Sequence, residues 1–161
     1  MSVAPAFERK LHAPQDAARW VAQLPRPLVF TNGVFDLLHR GHATYLARAR
    51  AMGASLLVAL NGDASAKRLG KGAERPLNAL EDRMALVASL ESVDAVTWFD
   101  EDTPAALIAA VRPDVLAKGG DWPAEKIVGA VEVLARGGRV ASIPFEHQRS
   151  TTALVEKIRK G

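Results

Sequence analysis

His39-Arg40-Gly41-His42 sets two imidazoles around a glycine, shortly after the apolar run Leu28-Val29-Phe30-Thr31. Imidazoles so placed can donate hydrogen bonds to phosphate oxygens. They can stabilise the charge that builds on a pentacoordinate phosphorus and on leaving pyrophosphate. Gly41 lets the backbone come close to a ligand. His42 would lie in the first turn of a helix, where free N–H groups and the helix dipole favour an anion. A lone histidine at a helix start is ordinarily a cap or a surface residue. Two around a glycine, beside Gly33 and directly after a buried strand, point to phosphate chemistry instead. The same pair could share a metal ion, but no third ligand suggests itself nearby, so no metal site is expected.

Alternating strands and helices must position this segment. Residues 1–13 read as a poorly ordered lead, and Gln15 to Leu24 as a helix ended by Pro25 and Pro27. Strands are expected at Leu28–Thr31, Ser55–Leu60, Ala95–Phe99, Val115–Ala117 and Arg139–Ile143. Helices are expected at Gly41–Met52 and Leu80–Leu90, from Pro104 to before Pro113, at Glu125–Arg136, and from Ser150 or Thr151 to Lys160. Such alternation implies βαβ units, hence an α/β, doubly wound, five-stranded parallel sheet. The domain division is a lead with one helix over 1–27 and one domain over 28–161. Ligands of such sheets bind beyond the carboxyl ends of the strands, so the loops after the strands are the informative ones.

The chain has 161 residues, 48% hydrophobic and 24% charged, typical of a globular domain rather than a disordered one. Its 21 Lys and Arg are scattered among 18 acids, for a net charge of +3. No basic stripe of the kind that binds nucleic acid is present, and no nucleic-acid partner is expected. Absence of cysteine excludes disulfides and thiolate catalysis. Residues Met1 to Lys10 contain no apolar core of a signal peptide, and no run is long enough to span a membrane. A cytoplasmic protein without membrane contact is the expectation.

The His39–His42 segment preceded by Gly33-x-Phe35-Asp36-x-Leu38 resembles the signature of the cytidylyltransferase-like nucleotidyltransferases, and the resemblance runs from Leu28 to the C-terminus. Ser150-Thr151-Thr152 is similar to that superfamily's Ser-Thr-Thr motif. Asn61 to Leu69, Arg75-Pro76-Leu77-Asn78, Glu81-Asp82-Arg83-Met84, Glu101-Asp102-Thr103-Pro104 and Lys118-Gly119-Gly120-Asp121 together resemble the adenylyltransferases of ADP-heptose synthesis. The resemblance implies a Rossmann-like fold and transfer of AMP from ATP to D-glycero-β-D-manno-heptose 1-phosphate for lipopolysaccharide core assembly. It also implies Mg²⁺ with the ATP, and the homodimer common among relatives. With no kinase in front, the chain looks like the free-standing form.

Residue by residue, the resemblance assigns His39 and His42 to triphosphate and transition-state contacts, at a helix start opened by Gly41. Main-chain groups of Asn32, Gly33, Val34 and Phe35 would line the nucleotide. Asp36 would anchor the loop or approach the sugar phosphate. Lys67 or Lys71 would neutralise phosphate, with Arg83 pointing into the same pocket. Gly119, Gly120 and Asp121 would meet the base or ribose, and Ser150, Thr151 and Thr152 the triphosphate. Each has a plainer reading: solvated lysines, an arginine paired on its own helix, a glycine turn, an N-cap. Glycerol-phosphate cytidylyltransferases resemble the chain too, but carry an Arg-Thr pair where Phe145-Glu146 stands and an Arg where Glu91 stands. Both departures favour ATP and heptose. Arg149 stands where a small or apolar residue is expected. The rival readings are a cytidylyltransferase acting on glycerol 3-phosphate, an enzyme of this fold using phosphopantetheine or nicotinamide mononucleotide, and a nucleotide-binding regulatory module.

Overall fold

The apolar runs become strands, buried on both faces except at one edge of the sheet. The computed structural model describes residues 3–147 and 149–161; Met1 and Ser2 of the expected lead, and Gln148, lie outside the described residues. The strands are β1 (Leu28–Gly33), β2 (Ser55–Asn61), β3 (Ala95–Phe99), β4 (Val115–Gly119) and β5 (Arg139–Ile143). They form one parallel sheet in the order β3-β2-β1-β4-β5. Because successive side chains alternate between faces, each strand feeds two cores. Val29, Leu56, Val58 and Leu60 meet Tyr45, Leu46 and Ala49 of α2 (Arg40–Arg50) and Met84 and Val87 of α4 (Leu80–Ala88). Leu28, Phe30, Leu57 and Ala59 pack with the buried residues of α1 (Ala17–Val21), α5 (Ala105–Val111) and α6 (Ala130–Ala135). Helices on both faces make the doubly wound, Rossmann-like sheet that the alternation predicts. Strand order reverses between β1 and β4, which opens a crevice at their carboxyl ends.

Four details depart from the sequence reading. The lead is ordered from Ala6: a 3₁₀ turn (Ala6–Lys10) packs Phe7 and Leu11 on the α4 side of the sheet, and the His12 amide donates to the Val96 carbonyl at 2.9 Å. The first helix shrinks to Ala17–Val21. The helix expected over Glu125–Arg136 divides into a 3₁₀ turn (Ala124–Lys126) and α6, because Gly129 takes φ +82° against Ile108, where a Cβ would come within 2.8 Å. A short helix, α3 (Asp63–Arg68), follows β2 where only a loop is expected, and α7 (Thr151–Arg159) ends the chain. Among the described residues, no helix is long and apolar enough to cross a membrane.

Candidate active site

His39 caps α2 with an extended backbone, and its carbonyl receives the amides of His42 and Ala43. The His39 and His42 rings stack with centroids 3.9 Å apart. Gly41 makes this possible, since a Cβ there would sit 3.0 Å from two atoms of the His39 ring. Phe35 holds φ +50°, a strained conformation for a bulky residue. Its ring folds back on Gly33, where a Cβ would lie 2.9 Å away, and meets His42 edge-on at 5.2 Å. Two glycines and one strained turn thus hold both imidazoles at the crevice.

Burial lowers the pKa of His42 to about 4, with the neighbouring His39 contributing and the Leu37 carbonyl opposing. His39 is lowered by burial and then by the Arg149 guanidinium. The Nδ1 atoms of both rings are buried without a hydrogen-bond partner among the described residues. Both shifts favour the neutral imidazole at pH 7, a form that can still donate one ring N–H. A consequence for stability follows. Between pH 6.5 and 4 the unfolded chain protonates His42 while the folded one does not, so stability falls as pH drops through that window. The melting temperature of the wild type should decline from pH 7 to pH 4.5 more steeply than that of His42→Gln. Parallel curves would place the titration elsewhere.

Asp36 is the anchor of its loop. Its carboxylate accepts the Leu77 and Asn78 amides at 2.9 and 3.0 Å and pairs with Arg75 at 3.2 Å, while its carbonyl receives the Asn78 side-chain amide. This ties the segment after β1 to the segment that precedes α4. Arg83, expected to reach phosphate, is fully buried instead. It donates to the carbonyls of Asn78, Val34 and Asn61 and to Asp63, all at 2.7–3.0 Å. The reason is position: Arg83 starts from the buried face of α4, within reach of the Val34 and Asn61 carbonyls at the ends of β1 and β2.

A cleft of about 290 Å³ gathers most of the remaining expectations. Val34, Phe35, Asp36, His39 and His42 form one wall, and Lys71 and Arg75 a second. Ser150, Thr151 and Thr152 close it from the start of α7. Ser150 spends its hydroxyl capping Ala153 at 3.0 Å, and Thr151 donates to the Leu37 carbonyl at 3.3 Å, which fastens α7 to the histidine loop. Asn32 and Gly33 line an adjoining cavity rather than this cleft. Lys67 is exposed on α3 and lines neither, and Asp121 is also exposed and outside both. Gly119 and Gly120 serve their neighbours: a Cβ on Gly119 would come within 2.7 Å of Phe145, and Gly120 holds φ +106° beside Trp122.

Two cleft residues carry no role in the sequence reading. Phe145 lines the cleft over Gly119 and makes an edge contact with Tyr45, and Glu146 beside it pairs with Arg48. The only sequence signal was the departure at Phe145-Glu146 itself. Arg149 also lines the cleft, near enough to His39 to depress it. A larger cavity, of about 680 Å³, opens beside Pro27, Val115 and Arg139 at the amino ends of the strands, away from all of these groups.

Among the described residues no three His, Asp or Glu side chains converge as a metal site. A family model described as cytidylyltransferase-like matches residues 30–157, which include the whole crevice and its two stacked histidines. The chain belongs to the cytidylyltransferase-like family. A D-beta-D-heptose 1-phosphate adenylyltransferase of Bordetella bronchiseptica is 55% identical over 157 residues, 96% of this chain and 97% of that protein. The bifunctional protein HldE of Citrobacter koseri is 57% identical over 133 residues; these cover 83% of this chain and only 28% of that longer protein. Among solved structures, a lipopolysaccharide core biosynthesis protein of Thermoplasma volcanium superposes with a TM-score of 0.61 at 28% identity, over 76% of this chain and 98% of that one. A pantothenate synthetase of Thermus thermophilus, with a TM-score of 0.52 and 20% identity over 84% of this chain and 61% of that one, shares the fold of the family.

Proposed function

We propose that the chain transfers AMP from ATP to D-glycero-β-D-manno-heptose 1-phosphate, giving ADP-heptose and pyrophosphate for lipopolysaccharide core synthesis. The observation that carries this reading is the stacked His39–His42 pair, set in a cleft with Lys71, Arg149 and the start of α7, in a chain 55% identical along nearly its whole length to a heptose 1-phosphate adenylyltransferase. The acceptor phosphate is already an anion, so the reaction needs no general base. Catalysis reduces to in-line placement and charge neutralisation. Neutral His39 and His42 donate to oxygens of the triphosphate as charge builds there. Lys71 and Arg149 add positive charge at the rim, and the free amides at the start of α7 donate to phosphate oxygens. Phe145, resting on Gly119, offers an aromatic face for adenine.

Mg²⁺ would arrive with the triphosphate and neutralise part of its charge. Asp36, the carboxylate of the cleft, is already engaged by Arg75, Leu77 and Asn78, which fits an ion held by phosphate oxygens and water rather than by a carboxylate cage. The cytoplasm, where ATP is plentiful, is the compartment that suits this reaction.

The test is a panel of sugar phosphates crossed with ATP, CTP, GTP and UTP, read by pyrophosphate release. Heptose 1-phosphate with ATP should give the highest kcat/KM, at least about tenfold above CTP. Equal use of CTP, or preference for glycerol 3-phosphate, would move the chain to the cytidylyltransferase branch.

A further inference from the structure

At the pole opposite the histidines, the cavity of about 680 Å³ is walled by α1, the end of α5, and the turn from α6 into β5. Four arginines line it, Arg26, Arg112, Arg136 and Arg139, against one acid, Asp114. That acid is fully engaged. Its carboxylate accepts the Leu28 amide at 2.6 Å and pairs with Arg26 at 2.8 Å. Arg26 in turn donates to the Arg112 and Val111 carbonyls at the end of α5. Arg139 donates to the Met52 carbonyl, just past α2, at 2.8 Å. Arg112 and Arg136 are left. Both are exposed, and among the described residues neither has an ion-pair partner.

Arginines at this pole have a plain role, because helices end here and each end carries about half a negative charge. That role does not use them up. The ends of α1, α2, α5 and α6 together with Asp114 supply at most roughly three negative charges, against four full positive ones. Arg112 also holds φ +49°, a left-handed conformation that glycine or asparagine adopts at less cost. Across the cavity, Gly137 has nothing within 4 Å of where a Cβ would sit, so a ligand can approach its backbone.

We propose that this cavity is a second binding site, separate from the histidine cleft, for a small phosphate-bearing organic molecule whose phosphate is held by Arg112 and Arg136. A guanidinium fork pairs with two phosphate oxygens at once, and two forks suit the dianion of a phosphate monoester. The cavity falls within the range of small-molecule sites, about 300–1,000 Å³, and is larger than a phosphate group alone would fill. The organic body of the ligand rests on the apolar wall of Ala18, Val21 and Ala110. The site stands independently of adenylyl transfer, since it shares no residue with the cleft.

Inorganic phosphate and glucose 6-phosphate are the probes, each titrated into the whole chain at constant ionic strength. Amide resonances of Arg112, Gly137 and Gly138 report this cavity, and those of His42 and Thr151 report the histidine cleft. Saturable shifts of the first set are expected, with the sugar ester at least about threefold tighter than inorganic phosphate because the cavity also holds its organic body. Arg112→Gln and Arg136→Gln should each weaken glucose 6-phosphate about tenfold at the first set, the loss of one charge-assisted contact, while the second set titrates as before. Arg9→Gln, at an exposed arginine outside the cavity, should change neither set, and all three melting temperatures should match the wild type. The site is overturned by any of four results: no saturable shift in the first set, inorganic phosphate as tight as the ester, equal weakening by Arg9→Gln, or saturation by anionic lipid vesicles alone.

Discussion

His39→Ala and His42→Ala should each lower kcat by about 10²–10³, with KM for ATP changed far less and melting temperature close to the wild type at pH 7. The magnitude is that of removing one preorganised donor from a developing oxyanion. The partition between kcat and KM follows from the protonation of the rings. A neutral imidazole contributes little to ground-state binding of a polyanion but can strengthen its hydrogen bond as charge accumulates on the leaving oxygens. Folding should survive because each ring leaves a cleft rather than a packed core, and because the His39 carbonyl, which closes the first turn of α2, is retained in alanine. The double variant should lose less than the product of the single effects, since the stacked rings act as a unit. Pre-steady-state pyrophosphate release measures the chemical step. Rates within a few-fold of the wild type in both single variants would remove the histidines from the mechanism.

Arg83→Met should be the most destabilising of the cation replacements, by about 3 kcal/mol or more. The side chain is fully buried and serves four acceptors, three of them main-chain carbonyls. Deleting it strands those carbonyls, at about 1–3 kcal/mol for each left without water. For a chain of this size that corresponds to a fall in melting temperature on the order of 10 °C. Arg83→Lys should recover little, because a single ammonium cannot reach across the fork that the guanidinium spans. Activity should fall with stability, and kinetics at low temperature should return toward the wild type. The opposite pattern, a normal melting curve with lost activity, would show that the guanidinium touches phosphate after all.

The sheet was legible because its strands are unbroken apolar runs such as Leu56-Leu57-Val58-Ala59-Leu60, which no amphipathic surface element would carry. The histidine loop was legible because its residue types are costly to place by chance. Arg83 was misread for a physical reason. A cation beside an anion-binding edge has two destinations, ligand oxygen or backbone oxygen, and sequence does not reveal which way the side chain leaves its helix. Lys67 was drawn into the site by the assumption that it lay on a loop, whereas α3 carries it to solvent. Phe145 escaped because its place depends on a long-range neighbour: it reaches back over Gly119. The split of the helix at Gly129 depends likewise on a contact with Ile108 that no local pattern contains.

The clamp around Arg83 bears on how such an enzyme could change its substrate over generations. The guanidinium grips the carbonyls of Val34, Asn61 and Asn78, so the framework depends on these positions being present and correctly folded, not on which side chains they carry. Val34 and Asn61 also face the cavity beside the histidines. The Asn61 side chain is itself tied to Ser65 at 3.0 Å, but that of Val34 takes no part in the grip and can be exchanged while the strand ends remain pinned from below. At Val34 the backbone thus carries architecture and the side chain shapes the cavity, and a lineage can vary the second without first dismantling the scaffold that holds the histidine pair.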